Sequence, residues 1–106
     1  MTFIDTDKLE VFEKGTGGWK GRQFRSPSMT FVHWEFEAGA SVHEHFHVQE
    51  EVWEVTAGVL EITIGGVRGL ARPGNVAIVP PNVPHSVRAL EAGSAIVIDH
   101  PIREGF

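Results

Sequence analysis

Residues 43 to 51, HEHFHVQEE, concentrate three of the chain's six histidines and three carboxylates in nine positions. Imidazole nitrogens and carboxylate oxygens are ligands through which proteins hold divalent transition metals. In a strand, side chains alternate between two faces and rise by about 3.3 Å per residue, so residues two apart lie side by side. We therefore expect His43, His45 and His47 to point the same way.

The spacing His-x-His-x3-Glu, formed by His45, His47 and Glu51, suits a metal site. Two imidazoles at this spacing can lean toward one ion at about 2.0–2.2 Å, and the carboxylate adds a hard oxygen ligand. A fourth ligand has to come from elsewhere, and His85, which follows Pro84 at the start of another predicted strand, is the expected supplier. The chain has no cysteine, so thiolate ligands, thiolate nucleophiles and disulfides are excluded.

The overall charge and hydropathy exclude other classes of function. The net charge is −5 and the lysines and arginines are scattered, which argues against a nucleic-acid partner. The first eight residues lack the basic start and apolar run of a secretory signal, so we expect a cytoplasmic protein. The longest apolar stretches, 76–79 and 95–98, are far shorter than the roughly 20 residues of a membrane-spanning helix, so no membrane partner is expected.

The elements that must position these residues are short strands. Turn signals recur at Ala38-Gly39, Ala57-Gly58, Gly65-Gly66, Pro73-Gly74-Asn75, Pro80-Pro81-Asn82 and Ala92-Gly93. Between them, β-branched and aromatic residues predict strands at 29–36, 51–55, 59–64, 76–79, 86–90 and 95–98. The best helical candidate, 6–14, allows a single turn. The pattern predicts one all-β domain over 1–106, and periodicity alone does not rank a sandwich, a barrel and a jelly roll.

Two stretches of the chain resemble the signature motifs of the cupin superfamily. Residues 39–58 fit G(X)5HXH(X)3E(X)6G at every fixed position, namely Gly39, His45, His47, Glu51 and Gly58. Residues 74–89 fit G(X)5PXG(X)2H(X)3N through Gly74, Pro80 and His85. Asn82 replaces the internal glycine of the second motif, and Ala89 replaces its final asparagine. Asparagine also tolerates positive φ, so the first departure is mild.

The resemblance implies a cupin jelly-roll β-barrel of the small, single-domain type. It also implies that His45, His47, Glu51 and His85 bind one divalent ion, with two positions of an octahedron left open. Such a site accepts Mn, Fe, Co, Ni or Zn, and the sequence does not choose among them. Small cupins commonly dimerise, so the resemblance also implies a homodimer.

His43 is a competing ligand, because the pair His43 and His45 also satisfies His-x-His. Counting from that pair puts Gln49 in place of Glu51 and leaves Gly58 out of phase with the motif. His43 is therefore interpreted as a pocket or entrance residue, with a plain position at the rim as the alternative.

Other aromatic residues are assigned to packing rather than chemistry. Trp53 lies two residues after Glu51, on the same expected face, and is interpreted as a core residue more than a substrate platform. The strand 29–36 is apolar on both faces, with Trp34 and Phe36 on one side and Phe31 and His33 on the other. Such a strand predicts one face in the core and the other in a subunit interface.

The carboxyl-terminal sequence DHPIREGF resembles the tail of the small cupins that linearise unsaturated uronic acids. In those proteins an aspartate and a phenylalanine precede the arginine at fixed distances, whereas here Val97 and Asp99 occupy those positions. Arg103 is a candidate for holding a substrate carboxylate bidentately, with a tail arginine in solvent as the alternative.

These features favour a metal-dependent enzyme that isomerises or tautomerises a small oxygenated acid or sugar, with the metal as a Lewis acid. His43 and Glu50 are the candidate bases. Iron-dependent dioxygenation and hydrolase or lyase chemistry remain open. A non-catalytic module that binds a sugar or carboxylate is a further alternative, as is a structural protein with an idle site.

Overall fold

The chain folds into eight antiparallel strands in a computed structural model that describes residues 2–15 and 17–105. The strands are β1 (Val11–Lys14), β2 (Trp19–Arg25), β3 (Thr30–Phe36), β4 (Ser41–His45), β5 (Glu50–Ile64), β6 (Val67–Ala71), β7 (Val76–Val79) and β8 (His85–His100). One short 3-10 helix, Thr6–Lys8, precedes them. The all-β prediction is confirmed, and the single helical turn expected within 6–14 is this one.

The two long strands β5 and β8 run side by side and organise the sheet. The first half of β5 pairs with the second half of β8. On its other edge the first half of β5 pairs with β7, and the second half of β8 pairs with β3. The second half of β5 pairs with β6, and the first half of β8 pairs with β4. Strands β1 and β2 extend the sheet beyond β3, and within the described residues no ladder joins the path's ends, β1 and β6.

The sequence predicted turns at Ala57-Gly58 and Ala92-Gly93, and that prediction was wrong. Both pairs lie inside β5 and β8, where the pairing register shifts repeatedly between Val55 and Leu60. A Cβ on Gly58 would lie 2.5 Å from the Ala92 carbonyl oxygen, and one on Gly93 would lie 1.9 Å from the Ala57 carbonyl oxygen. The glycines therefore mark a bulged corner where two backbones pass very close, so each pair of predicted strands is one long strand.

The buried hydrophobic side chains of the described residues pack into one cluster. It includes three tryptophans and branched aliphatic residues from β3, β5, β7 and β8. In β3 the side chains alternate between two faces, as the sequence predicted, and the structure shows that Trp34 and Phe36 form the buried face whereas Phe31 and His33 are partly exposed. Trp53 is also a buried core residue, packed edge-on against Trp19 at a ring distance of 6.1 Å.

The backbone conformation agrees with the sequence prediction at two turns. Gly65 and Gly66, which join β5 to β6, have φ values of +56° and +81°, as a tight hairpin turn demands. Asn82 adopts φ +62°, so it takes over the backbone conformation of the glycine that it replaces in the second motif. No helix within 2–15 and 17–105 has the length and apolar character needed to cross a membrane.

Candidate metal centre

Four residues of the two motifs meet because β4, β5 and β8 are neighbours. His45 ends β4 and is the direct cross-strand partner of His85, the first residue of β8. His47 follows in the connection to β5, and Glu51 is the second residue of β5. Glu51 and His85 are buried, and His45 and His47 are partly exposed.

The three imidazoles converge on one point. Ring centroids are 4.3 Å apart for His45 and His85, 4.9 Å for His47 and His85, and 5.6 Å for His45 and His47. One nitrogen from each ring lies within 4.8 Å of the other two. That separation is compatible with three ligands of one ion.

Backbone carbonyls set the tautomer of each ring. The Nδ1 atom of His45 lies 2.9 Å from the His43 oxygen, and that of His85 lies 2.9 Å from the Val83 oxygen. His47 makes the same kind of contact, at 3.1 Å, with the Gln49 oxygen. A carbonyl only accepts, so in the neutral rings each Nδ1 donates its proton and each Nε2 keeps a lone pair, the arrangement typical of metal-binding histidines.

Glu51 faces these lone pairs with its own oxygens. Its Oε2 lies 3.2 Å from Nε2 of His85, and its Oε1 lies 3.5 Å from Nε2 of His47. Neither nitrogen has a hydrogen-bond partner in the part of the chain that the structure describes. Electron pairs that face each other at such distances repel, so the set fits a cation placed between them.

Donors on the other side hold the Glu51 carboxylate in place. Trp53 donates its indole N–H to Oε2 at 2.7 Å, and Arg103 donates from a guanidinium N–H to Oε1 at 3.1 Å. Burial alone would raise the pKa of Glu51, but the polar groups around it, His47 and His85 first, hold it well below its usual value. Glu51 is therefore an anion at neutral pH.

The electrostatic environment leaves His45 neutral and favours charge on His85. Burial is the main cause that lowers the pKa of His45. Burial also opposes protonation of His85, but Glu51 and the Val83 carbonyl outweigh it and raise the pKa of His85. A proton could therefore occupy the space between His85 and Glu51, and a metal ion bound among the imidazoles would compete with it for the same atoms.

The expectation that His43 shares a face with His45 was wrong, because the strand carries a bulge between Val42 and His45. The bulge puts Val42 rather than His43 in the cavity beside His45. His43 is exposed, and its ring centroid lies 6.1 Å from that of His45, at the rim of the site. Glu50 is exposed and alternates with the inward-facing Glu51, so the structure does not bring it to the cavity.

Arg103 lies inside the site instead of extending into solvent. Its side chain is 14% exposed, and the guanidinium reaches Glu51 as described above. The Arg103 backbone N–H donates to the Thr30 hydroxyl at 2.9 Å, which ties the tail to β3. This contact fixes where the arginine enters the cavity.

Two functional candidates were missed by the sequence reasoning, Asp99 and Lys14. Asp99 is fully buried, and one of its oxygens lies within 4.8 Å of ligand atoms of His47 and Glu51. Burial and the charge of Glu51 raise the pKa of Asp99 to about 8. Lys14 of β1 lines the same cavity, where burial and then the charge of Arg103 lower its pKa. The signal for Asp99 was a lone acid at the end of an apolar strand.

The cavity beside His45 is small, about 20 Å³, enough for roughly one ion or water molecule. Its polar lining is Lys14, His45, Glu51 and Arg103, and its apolar lining is Trp19, Trp34, Val42, Trp53 and Val97. A larger groove of about 720 Å³ lies on another part of the surface and is lined by no histidine. Volume therefore does not locate the chemistry in this fold, whereas the convergence of ligands does.

Comparison with known proteins gives the family. The model of the cupin domain matches residues 32–101, which include all four candidate ligands. An RmlC-like cupin from Shewanella frigidimarina is 27% identical and superposes with a TM-score of 0.89 over 98% of this chain and 94% of that chain. A search of curated proteins found no match.

Two other solved structures share the fold at lower identity. KdgF from Halomonas sp. is 21% identical, with a TM-score of 0.88 over 98% of this chain and 96% of that one. A Bacillus subtilis oxalate decarboxylase described with Mn(II) centres is also 21% identical, with a TM-score of 0.78 over 92% of this chain and 29% of that one. On the family match, the motifs and the fold together, the chain belongs to the cupin family.

Proposed function

We propose that this protein binds one divalent transition metal through His45, His47, Glu51 and His85. The observation that carries the proposal is the convergence of three imidazoles, two of which direct Nε2 at the buried Glu51 carboxylate, with each Nδ1 tied to a backbone carbonyl. Mn(II) is the first ion to test, because the Bacillus subtilis oxalate decarboxylase of the same fold has Mn(II) centres.

The activity proposed for the site is isomerisation or tautomerisation of a small oxygenated acid or sugar. A bound divalent ion supplies Lewis acidity toward carbonyl, enol or carboxylate oxygens. Two basic side chains, Lys14 and Arg103, line the cavity and support an anionic substrate. The tryptophan walls exclude water and strengthen the electrostatic interactions within the cavity.

The chain's own residues have distinct roles in this proposal. Arg103 and Lys14 orient the anionic group of the substrate, while Trp53 keeps the Glu51 carboxylate in position. A cavity of about 20 Å³ does not hold a substrate, so the substrate oxygens enter from the rim. His43 lies at that rim and is better placed than Glu50 to move a proton.

Metal titration tests the binding half of the proposal. Protein stripped with a chelator is titrated calorimetrically with Mn(II) or Co(II), and one equivalent is expected to bind. His45→Ala should abolish binding, whereas His33→Ala, which removes a histidine from the other face of β3, should leave it unchanged. Equal binding by wild type and His45→Ala would show that the ligand set is wrong.

Solvent exchange tests the catalytic half. A panel of uronic, keto and hydroxy acids is incubated in D2O with metal-loaded protein, and loss of the exchangeable C–H signal is followed by NMR. Exchange that requires both metal and Arg103 supports the isomerase. Oxygen consumption with the Fe(II) protein would favour the dioxygenase instead, and saturable binding without turnover would favour a binding module.

We also propose a homodimer formed through the outer face of the sheet. Five apolar side chains lie in register across β2, β3, β8, β5 and β7; they are Phe24, Phe31, Ile98, Val52 and Ile78. Phe24 and Phe31 are stacked with centroids 4.9 Å apart, and Ile78 is 59% exposed. A second copy of the chain would remove this apolar row from water.

A further inference from the structure

Asp99 is placed beside Glu51 by the sheet itself. In the pairing of β5 with β8, Glu51 and Asp99 are direct cross-strand partners. Both are buried, at 2% and 0% exposure, so the two carboxylates share the inner face. Like charges directly opposite each other in a sheet are destabilising, and burial increases the cost.

The protein groups around Asp99 leave its charge poorly compensated. Neither of its carboxylate oxygens accepts a hydrogen bond from any residue that the structure describes. Arg103 forms only a long ion pair with it, with NH1 3.9 Å from Oδ2, and the same nitrogen donates to Glu51 at 3.1 Å. Arg103 therefore hydrogen-bonds to Glu51 and not to Asp99, so both carboxylate oxygens of Asp99 remain available as acceptors.

These acceptors are near the proposed metal. His47, Glu51 and Asp99 offer ligand atoms that all lie within 4.8 Å of one another, and so do His45, His47 and His85. The two groups share His47. A cation held by both groups would balance two buried carboxylates and use the free oxygens of Asp99.

We propose that Asp99 is a second carboxylate ligand, so that this chain has a centre of three histidines and two carboxylates. The inference rests on the proposed metal binding. For an ion that takes six ligands, five protein ligands leave one exchangeable position instead of two. With one open position, a substrate attaches through a single oxygen while Lys14 and Arg103 face its remaining anionic group. The two carboxylates also neutralise the divalent charge.

The number of water molecules on the ion tests the proposal in the wild-type protein. Chelator-stripped protein is loaded with one equivalent of Mn(II), and inner-sphere water is counted from the relaxation of 17O-enriched water. We expect one exchangeable water. Two exchangeable waters would overturn the assignment of Asp99 while leaving the four-ligand centre intact, and failure to bind Mn(II), Co(II) or Zn(II) would instead overturn the proposed metal binding itself.

A pair of variants sharpens the test. Asp99→Ala removes the ligand and should raise the count from one water to two, whereas Val97→Ala opens comparable space at the preceding inward position of β8 and should leave it at one. An unchanged count in Asp99→Ala would contradict the proposal. Should either variant fail to fold, the wild-type count still decides.

Discussion

The hydrogen bond from Trp53 to Glu51 gives the most quantitative prediction. Trp53→Phe keeps an aromatic ring in the core but removes the N–H that donates to Oε2 at 2.7 Å. Trp34→Phe is a matched control. Both tryptophans are 5% exposed, both line the cavity, and none of the hydrogen bonds found in the described residues involves the Trp34 indole. The difference between the two variants therefore isolates the hydrogen bond.

The magnitude follows from the burial of the acceptor. A hydrogen bond to a charged group contributes about 1.5–3 kcal/mol, and leaving a buried carboxylate oxygen short of a donor costs a similar amount. The two variants lose the same indole volume, so their packing losses should largely cancel. We expect metal-free Trp53→Phe to be about 2 kcal/mol less stable than metal-free Trp34→Phe.

The assay is urea unfolding followed by far-UV circular dichroism in a chelating buffer. Free energies of unfolding are compared at equal m values, so that a change in compactness is not mistaken for a change in stability. Trp53→Phe should also weaken Mn(II) binding about tenfold or more, because partners that orient a metal ligand have effects of this size. Equal stability and equal metal affinity in the two variants would refute the role assigned to Trp53.

Three further predictions concern the corner of the long strands, the buried acid and the outer face. Gly93→Ala should lower the melting temperature severely because its Cβ would overlap a main-chain carbonyl at 1.9 Å, whereas Gly69→Ala, with open space around it, should change it little; equal melting temperatures would contradict the corner. Burial holds the pKa of Asp99 near 8, above its ordinary value of 3.8, so its contribution to stability is complete below about pH 4 and is lost as pH rises toward 8. Metal-free Asp99→Asn should therefore gain stability relative to wild type by at least about 1 kcal/mol between pH 4 and 8, and a pH-independent difference in urea unfolding would show that the pKa of Asp99 is not raised in the folded protein. Ile78→Glu should convert the proposed dimer to a monomer in sedimentation experiments, whereas Val67→Glu on β6 should not; a wild-type monomer would rule out the interface.

Much of the site was predictable because the short stretch 45–51 carries three of its residues at a recognisable spacing. His45, His47 and Glu51 were found from their separation, and His85 from its isolated place at a strand start; the structure brings these four side chains together. The error at His43 came from the bulge after Val42, which changes the alternation of side chains without a local sequence signal.

The residues missed by the sequence depend on long-range pairing. Lys14 reaches the cavity from β1, a four-residue strand without the apolar alternation that predicts strands. Asp99 matters because β8 pairs with β5 in the register that sets it opposite Glu51. Such a register is fixed by tertiary packing and not by either segment alone.

The same limit explains the strand boundaries. Ala57-Gly58 and Ala92-Gly93 have the composition of turns, and locally nothing separates a turn from a bulged corner inside a long strand. A Cβ on Gly93 would lie 1.9 Å from the Ala57 carbonyl oxygen, which shows why a glycine is needed there. The all-β class was insensitive to this error because it depends on the number of strands and not on where each one ends.

The central claim is that three imidazoles and Glu51 share one divalent ion, and a crystal structure of Mn(II)-loaded protein with anomalous scattering tests it most directly. We expect one anomalous peak at about 2.0–2.3 Å from Nε2 of His45, His47 and His85 and from an oxygen of Glu51. A peak held by His43 in place of one of these residues, or no peak between them in protein that contains the metal, would contradict it.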